Sequence, residues 1–162
     1  MIFAIKKYFR SKKNNSYQDE LIQKLSQEHQ KLFELVAKLE EAISNKNIKK
    51  IQKLVGSFKK ELELHLLYED TNLYEHLYLR YHYFDDIKQE IEKKHNEMKD
   101  IAKSVEKFIQ THQNLNEFEK FVDDFNMVKN VLINRVSFEE EILYDIYHNR
   151  YDSNVVLEKF KS

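Results

Sequence analysis

The chain has no cysteine, no proline and a single glycine in 162 residues. Without cysteine there is no disulfide, no thiolate zinc site and no cysteine-ligated haem or iron–sulfur cluster. Without proline, and with glycine only at Gly56, the strongest helix breakers and turn formers are missing. Long helices are the natural reading. An excess of one charge sign is missing too. The chain carries 27 Lys and Arg against 28 Asp and Glu, which gives no electrostatic reason to expect nucleic-acid binding. No apolar run reaches the roughly 18 to 20 residues that span a bilayer. The opening Met1-Ile2-Phe3-Ala4-Ile5-Lys6-Lys7 has its short apolar run before the charges, the reverse of a secretory signal. The expected location is the cytoplasm. No nucleophile–base set, phosphate-binding glycine loop or dinucleotide motif is present, so no enzymatic activity is assigned.

What is present is apolar periodicity. Hydrophobic residues make up 41% of the chain, enough to argue against general disorder. The length suits one domain with a real core. Residues 1–15 read as an apolar and basic tail. A first helix is expected from near Ser16, with Ile22, Leu25, Leu32, Val36, Leu39 and Ile43 at three–four spacing and His29 filling the missing step. Asn45-Lys46-Asn47 is the first turn. A second helix, about 48 to 79, carries Ile51, Phe58, Leu62, His65, Glu69, Leu73 and His76 on one stripe. Gly56 within it is expected to permit close packing. Arg80-Tyr81-His82 is the second turn. A third helix from Asp85 or Asp86 carries Ile87, Ile91, His95, Met98, Ala102, Val105 and Ile109. A fourth, after the turn at 113–116, carries Phe118, Val122, Phe125, Val128, Leu132, Arg135, Glu139, Ile142 and Ile146. Residues 149–162 form a tail in which Val155, Val156, Leu157 and Phe160 can fold back. The architecture these stripes imply is an all-α, up-down-up-down four-helix bundle over residues 16–148.

Polar residues on the stripes point to one height. In such a bundle, residues equidistant from a turn lie level. The midpoint of 29 and 65 is 47, that of 65 and 95 is 80, and that of 95 and 135 is 115. Each falls on an expected turn, so His29, His65, His95 and Arg135 should share a layer. Glu69 and Glu139 lie about 6 Å further along their helices. An internal repeat supports this. His65-x-x-x-Glu69-Asp70-x-x-Leu73-Tyr74 matches Arg135-x-x-x-Glu139-Glu140-x-x-Leu143-Tyr144. Three imidazoles and two carboxylates in one core would cost several kcal/mol each in desolvation unless a metal or a dense ion-pair network offset it. Imidazole with carboxylate and no sulfur suits iron, manganese or zinc. Tyr68 and Tyr144 could approach the site, and His76, three turns on from His65 on the same face, is expected to pack near the aromatic end, with support of the ligands as the alternative. His82, His112 and His148, near helix ends, are expected to be solvated. The tyrosines cluster toward one end of this topology, as a cap on the core or as a surface for a homodimer or protein partner.

The chain resembles the hemerythrin-like, HHE cation-binding family. The resemblance rests on His29, on His65 with Glu69, on His95 and on Glu139, in that order, over residues 17–148. It implies a four-helix bundle with a non-haem di-iron site and a metal-ligand set of those five residues. It further implies a role in O2 or NO sensing, iron handling or iron–sulfur repair. Two departures stand out. Arg135 occupies the place of the fourth-helix histidine, and a guanidinium has no lone pair to give a metal. Lys99 stands four residues after His95, where oxygen carriers have a further histidine. Three outcomes follow: two iron ions with one depleted position, one iron ion, or no cofactor. In the last, Arg135 pairs Glu69 and Glu139, and the bundle is an interaction or regulatory module.

Overall fold

A computed structural model describes residues 20–161. The expected tail at 1–15 and the expected helix start at Ser16 lie outside the described residues. All regular structure among the described residues is helical. The chain divides into two compact units, with the boundary between Glu61 and Leu62.

In the first unit, α1 (Glu20–Ser44) buries Ile22, Leu25, His29, Leu32, Phe33, Val36, Leu39 and Ala42. That three–four spacing makes one apolar stripe. The helix ends in a Schellman turn. The amides of Lys46 and Asn47 reach back to the carbonyls of Ile43 and Ala42, both at 2.9 Å. Lys46 takes the left-handed conformation this requires, with φ 49°. Asn47 then caps α2 (Ile48–Glu69), its Oδ1 accepting the Lys50 amide at 3.1 Å. Gly56 does not mark a close approach: a Cβ there would meet nothing within 4 Å. It lies on an exposed face of the helix, and the expectation of close packing is corrected.

The second unit begins within α2 and contains the rest. After Glu69 the helix widens into a π turn, π1 (Asp70–Tyr74), where the Glu75 amide bonds the Asp70 carbonyl five residues back. It continues as α3 (Glu75–Arg80). Next come α4 (Asp85–Thr111) and α5 (Phe118–Phe138). A second π turn, π2 (Glu139–Leu143), leads into α6 (Tyr144–His148), and α7 (Ser153–Lys161) ends the described chain. α4 packs against α3, π1, α5 and α7. Asp85 and Asp86 open α4, where negative charge suits the helix dipole. The stretch after 148 is a docked helix. Val156 and Phe160 are buried, and Lys159 Nζ meets Asp145 Oδ2 at 2.7 Å.

Each π turn adds a residue and rotates everything beyond it by one step. Through π1 and α3 the buried series therefore runs Glu69, Leu73, Tyr74, Leu77, not Glu69, Leu73, His76. Through π2 and α6 it runs Glu139, Leu143, Tyr144, Ile146, while Ile142 is only half-buried. In α5, Phe121 and Lys129 are buried where periodicity alone selects Val122 and Val128. Lys129 lays its stem along the helix toward the Phe125 ring and donates to Asn126 Oδ1 at 3.0 Å. His112 is also corrected: it is buried, and its Nε2 meets Asp124 Oδ2 at 2.7 Å.

Candidate metal centre

The second unit gathers an unusual amount of charge into its interior. His65, Glu69, Arg135, Glu139 and Glu140 are all buried, Glu69 completely. His65 and Glu69 share a face of α2 because they are four residues apart, and Arg135 and Glu139 do the same where α5 runs into π2. A His65 ring nitrogen and a Glu139 carboxylate oxygen lie within 4.8 Å of each other.

Arg135 is held on three sides. Its Nε donates to Glu139 Oε1, Nη2 donates to the Tyr74 hydroxyl, and Nη1 donates to the Lys94 carbonyl at 3.1 Å. Burial alone would lower its pKa, but Glu139, Tyr74 and Glu69 together hold it above the usual value. The group is a fixed cation. Tyr74 and Tyr144 occupy matching places in the two copies of the repeat, and both are fully buried. Burial raises both phenols well above their ordinary range. For Tyr74, Arg135 opposes that rise while Glu69 and Glu139 add to it. For Tyr144, Glu69, Glu139 and Glu140 add to it.

His95 has different company. Its Nε2 meets Asp70 Oδ1, its Nδ1 lies 3.2 Å from the Tyr78 hydroxyl, and its ring stacks on Tyr74 with centroids 4.3 Å apart. Burial and then Lys99 lower its pKa, against the pull of Asp70. His76 is exposed, with Nε2 2.8 Å from Arg80 Nη2 and its ring against Tyr147. The π turn explains this displacement, because eleven residues no longer return to the same face. Tyr68 is half-buried, and its carbonyl accepts the Asn72 side-chain amide at 2.8 Å. His29, in the first unit, is completely buried on α1. Tyr74 is the site residue that motif reasoning overlooked. The repeat carried its signal, since Leu73-Tyr74 aligns with Leu143-Tyr144.

Grouping histidine and glutamate in an all-helical interior is one way helical proteins build a metal site. The family model for the hemerythrin HHE cation-binding domain matches residues 20–147, and the chain belongs to that family. No curated protein and no solved structure shows a significant match to it.

The donor set fits a cation of the family's kind. Nitrogen and carboxylate oxygen without sulfur suit iron, manganese or zinc. Among the described residues no helix is long and apolar enough to cross a membrane.

Proposed function

We propose that the protein binds a single non-haem iron ion within an up-down-up-down four-helix bundle, with His65, Glu69 and Glu139 as ligands. One observation carries this reading. The buried interior of the second unit has three carboxylates, Glu69, Glu139 and Glu140, around one guanidinium, Arg135. Lys129, the other buried cation of that unit, is six residues from Arg135, about 9 Å along the helix. With the His65 ring nitrogen within 4.8 Å of a Glu139 oxygen, this interior offers the nitrogen and carboxylate donors that iron takes. Arg135 stands where a second metal ion's histidine would be, and it supplies that position's charge without its chemistry. His95 stays with Asp70 in this reading, as a support for Tyr74 and not as a ligand. Iron held by such a set offers an open position to a small molecule such as O2 or NO, which suits sensing or iron handling.

Metal analysis of protein purified after aerobic iron supplementation tests the proposal. Roughly one equivalent of iron per chain is expected. Arg135→His should raise it toward two, because an imidazole donor replaces a fixed cation. Less than about a tenth of an equivalent of any transition metal would overturn the reading. It would favour the metal-free module, for which the Arg135–Glu139 pair is the supporting observation.

A further inference from the structure

Far from the charged interior, the α3–α4 corner and the segment after α6 enclose an open cleft of about 610 Å³. Arg80 lies fifteen residues beyond His65, roughly 20 Å along the rod. Arg80, Arg150, Tyr81, Tyr151, Leu79 and Phe84 line the cleft, and no carboxylate does among the described residues. The size falls in the range that takes small organic ligands.

The two arginines differ. Arg80 is spoken for: Nη1 donates to the carbonyls of Ile146 and Tyr147 at 3.0 and 2.7 Å, which caps the end of α6. It contributes a fixed positive field. Arg150 is exposed and makes no ion pair or hydrogen bond among the described residues. Its guanidinium fork suits an oxyanion. Tyr81 is buried and forms part of the cleft wall. Leu79 and Phe84 are 68% and 46% exposed, a large apolar surface to leave in water beside two cations.

We propose that this cleft binds a small organic anion with an aromatic or apolar body. Arg150 engages the oxyanion within the field of Arg80, and Leu79 and Phe84 cover the body. This site is independent of the metal centre.

Calorimetric titration of the purified protein with 2-naphthoate, 2-naphthamide and inorganic phosphate tests it. Naphthoate should bind at one site, and naphthamide at least about tenfold more weakly, since it lacks the charge. Phosphate should also be weaker, because it lacks the apolar body. Arg150→Gln, at an exposed position that should not disturb folding, is expected to weaken naphthoate about tenfold. The proposal is overturned if naphthoate fails to bind, if the amide binds as well as the acid, if phosphate matches naphthoate, or if Arg150→Gln leaves the affinity unchanged.

Discussion

Residues 65–74 and 135–144 are two copies of one segment, alike in backbone and different in charge. Both run from a buried position through a glutamate four residues on and into a π turn, and both end in a fully buried Leu-Tyr pair. The first copy begins with His65, the second with Arg135. The first copy's Asp70 keeps 42% of its side chain exposed and pairs with His95, while the second copy's Glu140 is buried. The shared π turn is a backbone device that brings residues 73 and 74, or 143 and 144, inward behind the glutamate. The difference lies in what the first residue can offer. An imidazole has a lone pair and can be neutral; a guanidinium has neither property. The first copy can therefore offer a metal both an imidazole and a carboxylate, while the second sets its carboxylate beside a permanent cation.

The largest effect that separates the copies should come from removing their first residues. Arg135→Ala leaves Glu139 buried without its charge partner and Tyr74 without its donor. A broken buried ion pair of this kind costs about 3–5 kcal/mol. His65→Ala removes a ring that can be neutral and should cost less. Denaturant unfolding of chelator-treated protein compares the two, and the reverse order would break the contrast between fixed and optional charge. Arg135→Ala combined with Glu139→Ala should recover part of the loss, since the stranded charge goes with its partner.

Tyr74→Phe sharpens the contrast further. It keeps the ring that stacks on His95 and removes the oxygen that accepts from Arg135. A guanidinium N–H then loses its acceptor in the interior, for a loss of about 1–3 kcal/mol. If thermal unfolding is unchanged, Tyr74 is not part of the support around Arg135.

The resemblance of the two copies explains what could and could not be read from the sequence. Helical class and the turns at 45–47 and after Arg80 and Thr111 followed from apolar spacing and from the near absence of breakers. The positions of His65, Glu69, Arg135 and Glu139 followed from four-residue spacing, which holds over one turn whatever happens later. The π turns were invisible to periodicity. A single added residue leaves an apolar stripe looking intact, yet it moves the interior from His76 to Leu77 and from Ile142 to Leu143. The Asp70–His95 pair was also hidden, because an aspartate beside a candidate ligand on one helix says nothing of a histidine on another. Lys129 misled for a different reason: its long stem counts as charge in a sequence but packs as hydrocarbon.

The smallest difference between the copies concerns how each π turn is sustained. Widening a helix by one residue leaves a carbonyl of the preceding turn short of its amide. In the first copy side chains make up the shortfall. Thr71 Oγ1 donates to the Leu67 carbonyl at 2.9 Å, and Asn72 Nδ2 donates to the Tyr68 carbonyl at 2.8 Å. At the matching places in the second copy stand Glu141 and Ile142, a carboxylate and a hydrocarbon with no donor to give. Asn72→Leu should therefore destabilise the first copy by about 0.5–1.5 kcal/mol, the usual worth of one such bond. Glu141→Ala, at an exposed position, should change stability by less than about 0.5 kcal/mol. Amide exchange at Glu75 and Tyr144, the residues that close the two π turns, reads each copy separately. Faster exchange at Glu75 alone in Asn72→Leu is the expected result. Equal acceleration at both would mean that the two π turns are held by a common interior and not by their own side chains.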